Sequence, residues 1–404
     1  MEREKIRVLI ADDSPVVREI LKDMIEGERD LELAGEARDG REAVKLAESL
    51  KPGIITMDVM MPVMNGLEAV EEIMAFTPTP ILVFSSAVSN KEMNVAFEAI
   101  ARGALDVMEK PKVSEGAKYD SIRADLLDKL RMLSRIHVIS HLKGKKRRPR
   151  KPGADRISVN ETETVEKADE VRKVPRPDES GPLVAEVPPP EVIVKGPVKV
   201  FEEIAPVKVP ARETVRDLVA IGASTGGPKA LVQIFRRMPP DFPVPILAVQ
   251  HIAHSFAPGL VNWLSRESGM KVVLAREKDR PQPGVLYIAP TGIHMVLEKG
   301  LVRFSEDPPV NSCRPSVDVL FESVAKDRKE TAVGALLTGM GRDGAKGLLE
   351  IKNRGGHTMI QDEKTSIIFG MPKAAMDMGA HNQVVALPDF PEALARSLFA
   401  RIKN

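Results

Sequence analysis

Three carboxylates stand directly after two short apolar runs near the start of the chain. Asp12 and Asp13 follow the run 8–11, and Asp58 follows the run 54–57. Because the carboxyl ends of parallel strands form the ligand crevice of an open sheet, we expect these side chains to lie together. Clustered carboxylates repel one another unless a hard cation lies between them, and oxygen ligands suit Mg²⁺. The spacing therefore predicts a magnesium site.

A hydroxyl and an ammonium follow two further apolar runs. Ser85 ends the fourth run, and Lys110 comes just after the fifth. Around a carboxylate–metal centre, both could take charge from the oxygens of a phosphoryl group on Asp58. Singly, an aspartate such as Asp13 is usually a helix cap, and a lysine is usually solvated. The combination, in this strand order, favours phosphoryl chemistry.

A serine lies in a glycine-rich turn later in the chain. The segment 222–226 matches the pattern G-x-S-x-G, in which Ser224 would be raised above a sheet beside helix N-terminal amides. Three interpretations of the turn stay open, namely a nucleophile, a phosphate-binding loop and a purely structural turn. The G-x-G-x-x-G spacing is absent and no Gly-Lys-Ser/Thr follows, which disfavours the phosphate loop.

A serine nucleophile needs a base and a group that orients the base. His251 ends an apolar run at the sheet edge where Ser224 is expected, with His254 and His294 as rivals. Asp343 follows another apolar run in a glycine-rich turn, although an aspartate there could simply cap a helix. The order Ser, His, Asp along the chain differs from that of common α/β-hydrolases, whose fold is therefore disfavoured.

The elements that must position these residues alternate short apolar runs with amphipathic helices. Apolar strands separated by helices predict parallel sheets covered on both faces. We therefore expect an α/β protein of two doubly wound parallel-sheet domains, a flavodoxin-like one over 1–142 and a Rossmann-like one over 213–404. A helix over about 120–141 should close the first domain.

The segment 143–212 has a different composition. It contains eleven of the 32 prolines, and its first nine positions hold seven lysines and arginines. Such a segment cannot bury enough apolar surface to offset its ordering entropy, so we expect a long, largely disordered linker. The basic run could contact nucleic acid, but no aromatic residues interleave and no helix-turn-helix pattern follows, which favours a solvated junction.

Composition excludes several classes of protein. The 59 basic and 58 acidic side chains leave a formal charge of +1, which argues against a wholesale nucleic-acid binder. The single cysteine makes a disulfide framework within one chain impossible and a cysteine-ligated zinc site unexpected. No apolar stretch approaches the ~20 residues of a membrane span, and no signal-peptide pattern opens the chain. We expect a cytoplasmic protein without membrane insertion.

The first domain resembles the receiver domain of two-component response regulators over about residues 5–115. The motifs are Leu-Ile-Ala-Asp-Asp-Ser at 9–14, Thr-Met-Asp-Val-Met-Met-Pro at 56–62 with Asn-Gly at 65–66, and Glu-Lys-Pro at 109–111. The resemblance implies phosphorylation of Asp58, Mg²⁺ bound by Asp13 and Asp58 with Asp12 nearby, and Ser85 and Lys110 as the switch pair.

The remainder is similar to chemotaxis protein-glutamate methylesterases, whose receiver is fused to a catalytic domain. The motifs are 222–228, Gln-His at 250–251, Tyr-Ile-Ala-Pro at 287–290 with His294, Ser-Cys-Arg-Pro-Ser-Val-Asp at 312–318, 337–345 and Gly-Met-Pro at 370–372. The resemblance implies Ser224 as nucleophile, His251 as general acid/base and Asp343 as its orienter. Thr225 and the backbone of Met340 match positions tied to the site's geometry and oxyanion hole.

The resemblance also implies a reaction and partners. A serine esterase would demethylate glutamate methyl esters on chemotaxis receptors, release methanol and in many members deamidate receptor glutamines. A chemotaxis histidine kinase would phosphorylate the receiver, with Mg²⁺ there and no cofactor for the esterase. The unphosphorylated receiver would cover the active site, more loosely here because the linker is long. The rival hypotheses are a response regulator with a DNA-binding or scaffolding output and a nucleotide-binding α/β domain.

Overall fold

The computed structural model describes residues 5–86, 90–110, 116–138, 205–210 and 213–400. The predicted linker 143–212 lies outside the described residues except at 205–210.

The first parallel sheet has the strand order β2-β1-β3-β4-β5. Its strands are β1 (Ile6–Ala11), β2 (Leu31–Ala37), β3 (Ile54–Met57), β4 (Ile81–Ser85) and β5 (Asp106–Glu109). Its helices are α1 (Pro15–Glu26), α2 (Gly40–Leu50), α3 (Gly66–Phe76), α4 (Asn90–Ala101) and α5 (Gly116–Leu133). Side chains of Ser14, Asp39 and Asn65 accept backbone N–H groups and begin α1, α2 and α3. The caps fix where each strand-to-helix loop turns, and those loops carry the carboxylates.

The second parallel sheet has the order β14-β13-β12-β6-β7-β9-β8. Its strands are β6 (Leu218–Ala223), β7 (Ile246–Gln250), β8 (Lys271–Leu274), β9 (Val285–Ile288), β12 (Ala332–Leu336), β13 (His357–Gln361) and β14 (Gln383–Val385). Its helices are α6 (Gly227–Phe235), α7 (Ala257–Ser268), α8 (Val317–Arg328), α9 (Ala345–Asn353), α10 (Met371–Asp377) and α11 (Phe390–Ser397). An antiparallel hairpin of β10 (His294–Glu298) and β11 (Leu301–Ser305) packs on α8. Strand order reverses around β6, which places the ends of β6, β7 and β12 at one crevice.

The two α/β units pack against each other through α4 and α7. The ring of Phe97 stacks on Trp263 with centroids 5.4 Å apart and meets the edge of Phe256 at 6.1 Å. A side chain at Gly259 would place its Cβ 2.6 Å from Cβ of Met93, so the helices approach as closely as a glycine allows. One continuous apolar cluster therefore crosses from the first unit into the second.

The predicted fold class is confirmed, with two parallel-sheet α/β units, while some elements differ. The helix expected over 120–141 is α5, which begins at Gly116 and ends at Leu133. The short strands β8, β9 and β14 and the hairpin were not predicted, because three to five residues carry too little periodicity. Within the described residues, no helix combines the length and the apolar character that crossing a membrane requires.

Candidate functional site

The first sheet gathers three carboxylates at one edge. One oxygen each of Asp12, Asp13 and Asp58 lies within 4.8 Å of the others, with Asp12 and Asp58 buried and Asp13 exposed. Lys110, just after β5, places Nζ 2.7 Å from Oδ2 of Asp12 and 2.8 Å from Oδ2 of Asp58. An ammonium thus bridges two buried carboxylates, which offsets part of their repulsion.

Burial shapes the protonation of this cluster. It raises the pKa of Asp58 to about 6 despite the opposing charge of Lys110, and it also raises the pKa of Asp12. Burial alone would lower the pKa of Lys110, but the charges of Asp58 and Asp12 raise it. The hydroxyl of Ser85 is buried and has no hydrogen-bond partner among the described residues. The carboxylate oxygens are suitable ligands for Mg²⁺, and the Ser85 hydroxyl, which lacks a partner in the described part of the chain, is suited to contact a phosphoryl group.

The loop after β3 leaves no room for a larger residue at Gly66. A Cβ there would lie 1.9 Å from the carbonyl oxygen of Asp58. Asn65 caps α3 by accepting the N–H of Glu68 at 2.9 Å. The backbone of α3 is therefore held directly against the residue expected to accept the phosphoryl group.

Ser224 follows β6 in a tight turn. Its N–H donates to the carbonyl of Thr338 at 3.0 Å, and its carbonyl accepts the N–H of Gly227 at 2.8 Å. Gly226 has φ +77°, a left-handed conformation that favours glycine. A Cβ at Gly339 would lie 2.7 Å from Cβ of Ser224, so a second glycine-rich loop reaches the serine.

His251 and Asp343 are directly bonded. Nε2–H of His251 donates to Oδ2 of Asp343 at 3.0 Å, and this tautomer assignment follows because the carboxylate can only accept. Four further donors surround the same carboxylate. They are Nδ2 of Asn311 at 2.9 Å, Oγ of Ser316 at 2.7 Å, and the backbone N–H groups of Val317 at 2.7 Å and Asp318 at 3.2 Å. The buried Asp343 is consequently fixed in one orientation.

This network sets the protonation of the pair. Burial would raise the pKa of Asp343, but hydrogen bonds from His251, Ser316 and Asn311 lower it below its ordinary value. Burial would lower the pKa of His251, whereas its bonds to Asp343 and Cys313 raise it to about 9. Asp343 thus stabilises the imidazolium, the state that a general base reaches after it accepts a proton.

The other ring nitrogen of His251 faces a thiol. Nδ1 lies 3.7 Å from Sγ of Cys313, while no hydrogen bond joins His251 to Ser224 among the described residues. Both Ser224 and His251 nevertheless line one cavity of about 250 Å³. Nε2 of Gln250 donates to the backbone carbonyls of Ser224 at 2.8 Å and His251 at 2.9 Å, which ties their main chains together.

Two backbone N–H groups near Ser224 are available for a ligand. Within the described part of the chain, the amides of Thr225 and Met340 have no acceptor. Both residues line the cavity that holds Ser224. Backbone N–H groups that lack an acceptor and line the cavity of a candidate nucleophile can stabilise an oxyanion.

The first α/β unit covers this cavity. Residues of β5 and α5 complete its lining, including Asp106, Asp125 and Lys129. Nζ of Lys129 lies 2.5 Å from Oδ2 of Asp106. The positive charge of Lys129 also interacts with the carboxylate of Asp125. Charged residues of β5 and α5 thus cover the Ser224 crevice, and we call this part of the first unit, which includes Asp106, Asp125 and Lys129, the roof.

The rival histidines lie elsewhere. His294 is fully buried, with Nδ1 accepting the N–H of Ser316 at 3.2 Å, and Nδ1 of His254 bonds Oγ1 of Thr291 at 2.6 Å. Sequence reasoning gave no chemistry to Asn311, Ser316, Cys313 or Gln250, although the last three stand in motifs quoted above. The sequence offered only residue type as a signal, because hydroxyl and amide side chains such as those of Ser316 and Asn311 can donate hydrogen bonds to a predicted catalytic aspartate.

Comparison with known proteins finds a matching family for each of the two α/β units. Residues 219–394 match the family described as CheB methylesterase, and residues 8–117 match the response regulator receiver domain. A "Protein-glutamate methylesterase/protein-glutamine glutaminase 2" of Anaeromyxobacter dehalogenans is 39% identical over 96% of each chain. One of the same name from Methanospirillum hungatei is 36% identical over 97% of each chain. The solved catalytic domain of Thermotoga maritima CheB methylesterase is 36% identical, covering 45% of this chain and 98% of its own, with a TM-score of 0.43.

Proposed function

Since this chain belongs to the family of CheB methylesterases that carry a receiver domain, we propose that it demethylates glutamate methyl esters of chemotaxis receptors. It releases methanol, and it also deamidates receptor glutamines to glutamate. The observation that carries the proposal is the Nε2–Oδ2 bond of 3.0 Å between His251 and Asp343, since His251 and Ser224 line the same crevice.

In the proposed reaction, Oγ of Ser224 attacks the ester carbonyl while Nδ1 of His251 accepts the hydroxyl proton. The N–H groups of Thr225 and Met340 stabilise the oxyanion. His251 then protonates the leaving methoxide, and water releases the acyl group by the reverse proton path. With a glutamine substrate the leaving group is ammonia. No cofactor takes part in these steps.

The base must first come within reach of the serine. In the structure Nδ1 of His251 faces Cys313 and not Ser224. Attack therefore requires a rotation of the serine hydroxyl or a small shift of the imidazole, while Asp343 keeps hold of Nε2. Gln250 limits how far the two backbones separate during that shift.

The receiver serves as the switch. We assign Asp58 as the phosphorylated residue, with Asp12, Asp13 and Asp58 holding Mg²⁺ and with Ser85 and Lys110 contacting the phosphoryl oxygens. The bound cation would supply positive charge to the phosphoryl oxygens and lower the pKa of Asp58. A chemotaxis histidine kinase is the proposed phosphodonor. The roof of β5 and α5 over the crevice supports inhibition by docking in the unphosphorylated state.

The domain limits proposed are 1–142 for the receiver, 143–212 for the linker and 213–404 for the catalytic domain. No nucleic acid is a proposed partner, and a cytoplasmic location stays a prediction.

Methanol release from methylated receptor membranes tests the activity. The native chain should release methanol, and Ser224→Ala should lower the rate by at least about 10⁴-fold, the scale of nucleophile loss in serine hydrolases. Ser305→Ala, the same change on β11 away from the crevice, should keep the native rate. Equal rates for Ser224→Ala and the native chain would refute the assignment.

A further inference from the structure

The facing pair of Cys313 Sγ and His251 Nδ1 has the geometry of a soft-metal site. We propose that these two atoms bind Zn²⁺ and that the bound ion inhibits the esterase. The inference rests on the proposed role of His251 as base. One oxygen of Asp343 lies within 4.8 Å of the sulfur of Cys313 and of a ring nitrogen of His251.

The separation of the two atoms matches a tetrahedral ion. Zn–S and Zn–N bonds of about 2.3 and 2.0 Å place two ligands roughly 3.5 Å apart at the tetrahedral angle. Sγ of Cys313 and Nδ1 of His251 are 3.7 Å apart. A shift of a few tenths of an ångström is enough to seat the ion between them.

The second nitrogen of His251 already has the partner that zinc-bound histidines use. Metal-ligating histidines commonly donate their other N–H to a carboxylate, which fixes the ring and raises its basicity. Nε2 of His251 donates to Asp343 in this way. Because Asp343 already accepts five hydrogen bonds, it acts as the carboxylate behind the ligand, and solvent fills the remaining coordination positions.

The site is reachable and chemically selective. Cys313 is half-buried, on a loop whose neighbours Asn311, Ser312 and Arg314 are exposed. Its thiol lies 3.4 Å from the carbonyl oxygen of Asn311, so no other side chain has to be displaced to free the sulfur. Thiolate and imidazole favour Zn²⁺ over Mg²⁺, whereas the carboxylates around Asp58 favour Mg²⁺.

The ion would inhibit the esterase because it binds the lone pair of Nδ1 of His251, which the proposed reaction needs as base. Nδ1 of His251 is the nitrogen left to accept the proton of Ser224, since Nε2 is held by Asp343. Coordination of Nδ1 removes that lone pair. A single cysteine speaks against a structural zinc site of several thiolates, but an inhibitory site needs only this pair.

Binding is tested with Co²⁺ as the probe on the full chain. Cys313 is the only cysteine, so any thiolate-to-cobalt charge-transfer absorption reports it alone. We expect the band in the native chain, in Asp58→Asn and in the inactive Ser224→Ala. It should vanish in Cys313→Ser and need at least about tenfold more Co²⁺ in His251→Ala, as loss of even an outer partner costs this much. No band in the native chain, or unchanged affinity in His251→Ala, would overturn the site.

Inhibition is tested with ZnCl₂ and a soluble methylated receptor fragment, each variant being compared with its own metal-free rate. Zn²⁺ should stop the native chain and Asp58→Asn, a chelator should restore both, and Mg²⁺ should have no such effect. Cys313→Ser should need at least about tenfold more Zn²⁺. Equal sensitivity of Cys313→Ser would refute the inhibitory site. Because the cobalt band needs no turnover, an inactive native chain that still shows it would count against the esterase proposal alone.

Discussion

The carboxylate of Asp343 depends on a residue far away in sequence and next to it in space. Nδ2 of Asn311 bridges Asp343 at 2.9 Å and Asp318 at 2.8 Å, so one amide separates two carboxylates. Asn311 has φ +52°, a conformation that asparagine tolerates better than most residues. Its two N–H groups reduce the repulsion between the aspartates.

Replacing that amide should slow catalysis without unfolding the chain. Asn311→Asp keeps the shape and the tolerance for positive φ but removes the donor and adds a third negative charge. We expect kcat to fall about 10- to 100-fold, the scale of a lost charge-assisted hydrogen bond, with little change in KM. Asn353→Asp, at the exposed end of α9, is the matched control. An unchanged kcat in Asn311→Asp would show that Asp343 needs no such support.

The pH profile of the esterase should report the environment of His251. Its pKa of about 9 exceeds the ordinary 6.5. Only neutral imidazole accepts the serine proton, so kcat/KM rises as pH rises through the pKa, and roughly 1% of the base is active at pH 7. In buffer with a chelator, Cys313→Ser should move this midpoint to lower pH, because one of the two bonds that raise the pKa is gone. A midpoint that stays in place would separate Cys313 from the base.

Strand ends led us to expect Ser224, His251 and Asp343 close together, because polar residues after buried parallel strands meet at one edge, while their catalytic roles stay a prediction. Asn311 and Cys313 were not predictable as neighbours of the site. They stand in a loop, and their contacts with Asp343 and His251 span 32 and 62 residues, which no local period encodes.

At the scale of elements, α4 and α7 pack so closely that the contact leaves no space for a larger side chain at Gly259. A Cβ at Gly259 would lie 2.6 Å from Cβ of Met93 and 3.2 Å from the ring of Phe97. Neither atom of the first contact is the end of a flexible side chain. The docked pair of helices must therefore separate if Gly259 gains a side chain.

Gly259→Ala should release the receiver. We expect receptor demethylation without a phosphodonor to rise about 5- to 150-fold, the usual range of coupling between sites. The helix itself gains stability, since alanine is a better helix former than glycine. Asn262→Ala, on the exposed side of α7, should leave the basal rate as it is. If both variants behave alike, α4 and α7 do not carry the inhibition.

Long amphipathic helices and most buried central strands followed from sequence, but the inner strand β9 and the edges of the second sheet did not. The hairpin turns at Lys299 and Gly300 with φ of +50° and +74°. A Lys-Gly pair is a weak turn signal beside Asn-Gly. The end of α5 at Leu133 also escaped, because apolar spacing continues past it to Ile136.

At the scale of the whole molecule, the proposal gives the two sheets separate chemistry. The groups proposed for catalysis and for the oxyanion hole, Ser224, Thr225, His251, Met340 and Asp343, all lie after residue 213. Removal of 1–142 should therefore leave a folded esterase whose rate no longer responds to phosphodonor. Circular dichroism and methanol release on the shortened chain measure this. An insoluble or inactive product would mean that the aromatic cluster around Phe97 and Trp263 is a shared core.

Asp58→Asn should isolate the switch from the catalyst. The amide cannot accept a phosphoryl group, so stimulation by a small phosphodonor with Mg²⁺ should disappear while basal methyl-ester hydrolysis stays native. The absence of a phosphorylated product on gels confirms the block. A folded Asp58→Asn variant as inactive as Ser224→Ala would contradict the division of labour between the sheets.

The roof of β5 and α5 makes the closed molecule a size filter. A cavity of about 250 Å³ can lodge a glutamyl side chain. A receptor helix, roughly 10 Å across, has no place beneath Asp106 and Lys129. A small soluble ester should therefore be cut at rates that ignore the switch, while the polymeric substrate waits for the roof to lift. The ratio of the receptor rate to the small-ester rate, divided by the same ratio for the chain without 1–142, would measure the open fraction without any label on the protein.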